Sequence, residues 1–367
     1  MMSKSSPEER YRRHLALPDF GPSEQQKLRE SSVLVVGAGG LGSPLLFYLT
    51  AAGLGRIGIV DGDVVAISNL QRQILYTGED EGQSKAKLAA KRLQQLNPEV
   101  KTEVYPFRLS ANNARDLLAQ YDCIADGSDN FPTRYLVNDA CVLLGKPNVY
   151  ASVFRYEGQV SVFNRLRPDG SRGPNYRDLY PEPPPPESIP NCAEAGVLGT
   201  LTGIIGSIQA NEVIKLITGI GEPLDARLFL LDSRDMQAQI LQLPTTSRHP
   251  ITKLTDDYGA VSCEISIPEI AFRQMLEWQK NGRTFALLDV RSMRERLSGH
   301  LGGLHIPLDQ LQRQWEQLDP QKTWVVYCHS GIRSATATQW MLERGFKEVY
   351  NLKGGIVQAM RHQKTHP

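Results

Sequence analysis

The sequence predicts an α/β protein: a doubly wound, mixed sheet followed by a small second α/β domain. Three observations predict it. A buried apolar run, Val33 to Val36, meets the glycine turn Gly37-Ala38-Gly39-Gly40-Leu41-Gly42; an apolar helix pattern to Ala52 then leads into a second strand, Ile57 to Val60, ending at Asp61. Short apolar strands and helical patterns alternate from there as far as Ser152, the rhythm of a mostly parallel sheet. Late in the chain another buried strand, Trp324 to Tyr327, runs through a short loop at Cys328 into a helix. At 367 residues the chain is too long for one ordinary domain. The expected division is residues 1–243, a polar connector 244–262 and a second domain 263–367.

Composition narrows the function classes. The net charge is +1, from 41 basic and 40 acidic residues, so nothing points to nucleic acid or a membrane surface. No apolar run approaches the ~18 residues of a membrane span, and the N-terminus has no apolar signal segment. A soluble, cytoplasmic protein is the expectation. The five cysteines are an odd number, widely spread, which is not a disulfide framework.

In order, residues 1 to 31 read as a polar, partly helical, solvated arm. After Asp61, Gln83 to Leu96 is an amphipathic helix stopped by Asn97-Pro98. Val100 to Tyr105 is a strand and Asn112 to Ala119 a helix. Tyr121 to Ala125 is a buried strand leading to Asp126-Gly127-Ser128-Asp129-Asn130. Pro132 to Leu144 is a helix, Pro147 to Ser152 a strand, and Gly158 to Phe163 an added, antiparallel strand. Arg165 to Pro190, rich in Pro, Gly and Arg, reads as an extended crossing loop outside the core. Leu198 to Ile217 is a long apolar helix, and Ala226 to Asp232 and Met236 to Leu243 are strands. In the second domain, Pro268 to Lys280 and Ser334 to Arg344 read as helices, and Phe285 to Val290 as a strand.

The first turn fits the Rossmann-like G-x-G-x-x-G fingerprint. Its glycines Gly37, Gly39 and Gly42 let a phosphate approach the backbone at a helix start, and Asp61 sits where a carboxylate grips ribose hydroxyls. Alone, this suggests NAD. Ser68-Asn69-Leu70-Gln71-Arg72-Gln73 and Lys85 argue against a dehydrogenase, which has no need of several basic residues beside the phosphates. A nucleotidyl transfer does need them. Asp129, at the carboxyl end of a strand, suits Mg²⁺. Taken singly, Lys85 fits a solvated helix face, Arg72 a surface charge and Asp129 a helix cap; together they make a nucleotide site.

These residues carry a resemblance. The glycine turn, Asp61-Gly62-Asp63, the Ser68–Gln73 stretch, Gly82-Gln83-Ser84-Lys85, Asp126–Asn130 and Glu157-Gly158-Gln159 occur in the order seen in E1-like adenylating enzymes of the MoeB and ThiF type. The resemblance covers residues 10 to 243. It implies an ATP site formed by Gly40, Asp61, Ser68, Asn69, Arg72, Lys85, Asp129 and Asn130, with Mg²⁺ near Asp129. It also implies a homodimer in which an arginine of the N-terminal arm, Arg13 or its neighbour Arg12, reaches the partner's nucleotide. The family's partner is a ubiquitin-like sulfur-carrier protein ending in Gly-Gly.

Cys328-His329-Ser330-Gly331-Ile332-Arg333-Ser334 follows a strand and opens a helix. Loop amides, the helix start and Arg333 are expected to stabilise a reactive sulfur anion. A cysteine-to-arginine loop is also found in tyrosine phosphatases as C-x₅-R, whereas here four residues separate Cys328 from Arg333. Asp289-Val290-Arg291 and Gly299-His300 upstream favour a rhodanese domain, which residues 265 to 367 resemble, with Cys328 as persulfide carrier. His300 and His305 are expected to be structural. The fusion resembles the adenylyltransferase–sulfurtransferase class, whose sulfur comes from thiosulfate or a cysteine desulfurase persulfide. In that class Cys192 stands at a cysteine position and is expected to release the product or form a thioester. Cys123 and Cys141 are expected in the core.

One departure concerns zinc. Relatives of this type carry two C-x-x-C pairs; here Asn175 and Asp178 stand at the first, and the second, near Leu243, is absent. No zinc is expected. Two other readings compete: a non-catalytic or regulatory E1-like scaffold, and an NAD-linked oxidoreductase. The intact Arg72, Lys85, Asp129 and Cys328 oppose the first, and the Ser68–Gln73 stretch opposes the second.

Overall fold

In a computed structural model the chain forms two compact units, Met1–Ala260 and Val261–Pro367. The structure describes residues 7–183, 196–244, 250–255, 258 and 267–365.

The first unit is built on an eight-stranded sheet. Its strands are β1 (Ser32–Val36), β2 (Arg56–Val60), β3 (Lys101–Tyr105), β4 (Cys123–Asp126), β5 (Asn148–Phe154), β6 (Glu157–Phe163), β7 (Arg227–Asp232) and β8 (Gln237–Gln242). Their order is β3-β2-β1-β4-β5-β6-β7-β8. The first five are parallel, and β6, β7 and β8 are added antiparallel. Every residue of β1 is buried, because helices cover both faces; the two faces hold separate apolar cores. The order reverses at β1, whose Val36 pairs with Val60 of β2 and with Asp126 of β4. Open sheets of this kind bind ligands in the crevice at such a switch point, which is where the glycine turn lies.

The helices agree closely with the sequence periodicity: Gly42–Ala51, Lys85–Leu96, Ala111–Leu118, Phe131–Leu144 and Gly199–Thr218. Two expectations change. The arm is packed rather than solvated: Tyr11 and Phe20 are buried, and the Tyr11 hydroxyl accepts from Asn97 Nδ2 at 2.8 Å. The crossing loop also enters the core. It forms a short helix, Tyr176–Leu179, whose first residue is buried among Tyr135, Tyr150 and Phe163. Arg177 holds buried Asp139 through two bonds of 2.8 Å. Aromatic anchors spaced among prolines have no helical or strand period, so the pattern hides them.

The second unit has a five-stranded parallel sheet, ordered β11-β10-β12-β13-β9. Its strands are β9 (Glu269–Ile270), β10 (Ala286–Asp289), β11 (Leu304–His305), β12 (Thr323–Tyr327) and β13 (Glu348–Leu352). The helix expected from Pro268 starts later, at Phe272. Before it, β9 pairs with β13, and Asn351 N–H donates to the Pro268 carbonyl at 2.8 Å. Helices Ile332–Glu343 and Gly355–Thr365 follow β12 and β13.

Candidate active site

The glycine turn leaves β1 with Gly37 at φ +92°, a conformation that L side chains rarely adopt. A Cβ on Gly42 would lie 2.0 Å from the Gly37 carbonyl oxygen, so the turn closes on itself only without that side chain. Asp61, at the end of β2, fastens the turn. Its Oδ2 accepts from Ala38 N–H and its Oδ1 from Asp63 N–H, both at 2.8 Å. Burial raises the Asp61 carboxyl against the lowering effect of these bonds. The residue expected to grip a ribose is thus a structural staple of the turn, a role not visible in the fingerprint.

Lys85 is only 6% exposed, so the solvated-helix reading does not hold. Its Nζ lies 3.4 Å from Asp63 Oδ2, and Arg108 Nη2 lies 3.1 Å from Asp63 Oδ1. Tyr76 ties the same region together: its hydroxyl lies 2.8 Å from the Ala38 carbonyl and 3.2 Å from that of Lys85, sharing its proton between them. Arg72 is half-buried, donates to the Ser68 carbonyl at 3.1 Å, and packs its stem against Gly40 with Thr202. Asn69 Oδ1 accepts from Ala66 N–H at 3.3 Å, closing the Ile67–Asn69 turn, and Ser68 is exposed.

At the end of β4, the Gly127 carbonyl approaches Gly37 so closely that a Cβ there would sit 3.0 Å from it. This brings the Asp126–Asn130 loop to the glycine turn. Asn130, not Asp129, caps the following helix: its Oδ1 accepts from Thr133 N–H at 3.0 Å. Asp129 lies exposed one residue earlier. Buried Asp126 was not singled out by sequence. Its Oδ1 accepts from Ser128 N–H at 3.0 Å, Oδ2 has no hydrogen-bond partner among the described residues, and burial raises its carboxyl. Arg134, also missed, reaches the Ser128 carbonyl at 3.2 Å. Gln209 spans the Asp126 and Val149 carbonyls at 2.9 and 2.8 Å. Arg134 and Gln209 reach in from helix interiors, where no motif marks them. Arg12 and Arg13 are both exposed on the short helix Arg12–Leu15.

In the second unit, buried Cys328 follows β12. Gly331, at φ +96°, turns the loop so that its N–H donates to Cys328 Sγ at 3.2 Å. The helix after β13, Gly355–Thr365, packs on this loop: Ile356 N–H donates to the Cys328 carbonyl at 2.9 Å and Val357 N–H to the His329 carbonyl at 3.2 Å. Arg333 does not offer an unbalanced charge. It forms a two-pronged pair with Glu295, at 2.8 and 2.5 Å, and that pairing holds the Glu295 carboxyl down at about 2. Asp289 and Arg291 form a buried pair at 2.8 Å. His305 Nε2 bonds the Arg291 carbonyl at 2.7 Å, and His300 Nδ1 accepts from Gly302 N–H at 3.0 Å, both backbone-holding roles.

Burial pushes the Cys123 thiol up to about 12 and raises that of Cys141, as core thiols behave. Cys192 and Cys263 lie outside the described residues. Asn175 N–H and Nδ2 both donate to Asp178 Oδ2, at 2.8 and 2.9 Å, so the residues at the first zinc-pair position bond to each other. Among the described residues, no helix is long and apolar enough to cross a membrane.

Known proteins share both halves. Residues 11–251 match the ThiF family, and residues 271–362 a rhodanese-like domain. The chain is 46% identical over 363 residues to a probable adenylyltransferase/sulfurtransferase MoeZ of Mycobacterium tuberculosis, covering 95% of this chain and 91% of that one. It is 52% identical over 243 residues to a sulfur carrier protein adenylyltransferase of Thermus thermophilus, covering 66% of this chain and 90% of the relative. Among solved structures, MccB of E. coli matches with a TM-score of 0.56 at 20% identity, covering 69% of this chain and 74% of that one. That likeness concerns the fold.

Proposed function

The chain belongs to the ThiF family and carries a rhodanese-like domain, and from that premise we propose that it is an ATP-dependent adenylyltransferase and sulfurtransferase acting on a sulfur-carrier protein. The observation that carries this reading is the pairing of two sites in one chain. One is a glycine turn with Asp61, Arg72 and Lys85 at the sheet's switch point; the other is a buried strand-end cysteine whose sulfur accepts from the Gly331 N–H of its own loop.

A carboxylate is a poor acyl donor, since its charge repels nucleophiles and oxide is a bad leaving group. In the proposed first step, an oxygen of the carrier's C-terminal Gly-Gly carboxylate attacks the α-phosphorus of ATP. The bond to the β-phosphate oxygen breaks, and pyrophosphate leaves with the electron pair. Gly37, Gly39, Gly40 and Gly42 give the phosphates access to backbone, Asp61 takes the ribose with its remaining lone pairs, and Ser68, Asn69 and Asn130 line the rim. Arg72 and Lys85 stabilise charge growing on the leaving group. The hard carboxylate oxygens of Asp129, exposed at the same rim, suit Mg²⁺, which supplies further neutralisation of phosphate charge.

In the second step, the outer sulfur of a Cys328 persulfide attacks the acyl carbon and AMP leaves. The product is an acyl disulfide. A second thiol cleaves it to release the carrier thiocarboxylate, and an external thiol reduces the protein disulfide formed. Cys192 is our candidate for that thiol, or for a transient acyl thioester. Arg333 and Glu295 fix the helix start behind Cys328.

The finer assignment follows the same reading. The carrier is ubiquitin-like, the donor thiosulfate or a cysteine desulfurase persulfide, and the setting cytoplasmic. The enzyme works as a homodimer in which Arg13 or Arg12 reaches the partner's nucleotide. The pathway is molybdopterin, thiamine or cysteine synthesis, or tRNA thiolation. The Asn175–Asp178 pair takes the place of a zinc site; one zinc per chain in metal analysis would sink that point. The deciding experiment mixes protein, ATP, Mg²⁺ and a Gly-Gly-ended carrier and follows pyrophosphate. Release that depends on the carrier supports the reading; no release rejects it.

A further inference from the structure

Ser334, buried in the helix after the Cys328 loop, has three neighbours within reach of its hydroxyl. Its Oγ lies 2.6 Å from Asn351 Oδ1, 3.2 Å from the Gly331 carbonyl and 3.4 Å from Cys328 Sγ. A hydroxyl has one proton to give. The far end of Asn351 decides where it goes. Asn351 Nδ2 donates to Glu269 Oε1 at 3.2 Å. A carboxylate only accepts, so the amide NH₂ faces Glu269 and the amide oxygen faces Ser334. Ser334 therefore donates to Asn351 and turns a lone pair toward the sulfur.

We propose that Glu269 and Asn351 are positioning residues for Cys328: they hold the Ser334 proton away from Sγ, so that Ser334 accepts from the thiol instead of donating to a thiolate. The proposal rests on the reading of Cys328 as the sulfur carrier. The Gly331 N–H, 3.2 Å from Sγ, remains the donor to sulfur. The charged side chains near the loop are paired, Arg333 with Glu295 and Lys353 with Glu269, and His329 is exposed beside it. An acceptor on a thiol favours S–H, and a second donor favours the anion, which is the nucleophile. The direction of one hydrogen bond, set by a carboxylate on β9, thus restrains the resting cysteine.

The test uses the full chain and iodoacetamide at neutral pH, with alkylation of Cys328 followed by peptide mass mapping. Glu269→Gln lets Asn351 turn its amide and frees the Ser334 proton for sulfur. The expected result is alkylation faster by roughly fivefold, the factor one hydrogen bond carries. In a Ser334→Ala background the same Glu269→Gln change should leave the rate unchanged, because the chain is already cut. Loss of a negative charge alone would act by the same factor in both backgrounds. An unchanged or slower rate in Glu269→Gln, or equal acceleration in both backgrounds, overturns the proposal. Alkylation needs no carrier and no sulfur donor, so its outcome stands apart from that of the thiocarboxylate assay.

Discussion

The two loops proposed to carry the chemistry are built alike and, on that reading, used differently. Each leaves a buried parallel strand, turns through a glycine at positive φ (Gly37 at +92°, Gly331 at +96°) and opens a helix. In the first, missing side chains leave backbone for an outside ligand to approach, and Asp61 and Tyr76 brace the turn from behind. In the second, the loop wraps its own side chain: Gly331 and Ser334 both face Cys328 Sγ, and a Cβ on Gly355 would sit 2.6 Å from the Cys328 carbonyl. On the proposed reading, one strand–loop–helix plan would hold either a diffusible nucleotide or a covalently carried sulfur. Whether the glycines clear space or close it decides which.

The sharpest way to separate the loops is Cys328→Ala. It should abolish thiocarboxylate formation while carrier-dependent pyrophosphate release continues; a thiocarboxylate still formed from thiosulfate would remove Cys328 from the mechanism. Arg72→Ala is the reciprocal cut. Pyrophosphate release should fall by about a hundredfold or more, as when one charge-stabilising group is lost, with thiosulfate-to-cyanide sulfur transfer unchanged. Unaltered pyrophosphate release would refute its role.

Smaller effects test the braces. Gly42→Ala forces a Cβ onto the Gly37 carbonyl and should destabilise the first unit by ~1–3 kcal/mol, read as a lowered midpoint in urea. The smallest effect is a pH effect. Arg333 lowers the Glu295 carboxyl from 4.5 to about 2. A depressed carboxyl contributes stability above its unfolded value, and that contribution is lost as pH falls from 4.5 through about 2. The pair is partly solvated, so the contribution is roughly 1 kcal/mol at most. Glu295→Gln should remove this part of the acid dependence of the second unit's melting temperature; an unchanged acid profile would argue against it.

Much of this was legible in the residues. The Ser32–Asp61 stretch, the Ser68–Gln73 turn and the Cys328 loop each announce strand, turn and chemistry within a short window. What was not legible depends on partners far along the chain. Glu295 meets Arg333 from another helix, 38 residues earlier in the chain, so Arg333 alone looked like an uncompensated fixed charge. Lys85 looked solvated because Asp63, its partner, comes before it on another element. Tyr176 looked like part of an extended loop because the rings that bury it come from Tyr135, Tyr150 and Phe163. β9 was missed because two residues give no period; only pairing with β13 defines it.

The Tyr76 hydroxyl, placed between the carbonyls of Ala38 and Lys85, has a kinetic side. It welds the glycine turn and the start of the Lys85 helix into one stiff piece. Their relative position is fixed when the protein folds, so little ordering is left to do when a nucleotide arrives. Tyr76→Phe would keep the ring and loosen the weld, so its cost should appear as a faster nucleotide off-rate while the fold itself stays in place.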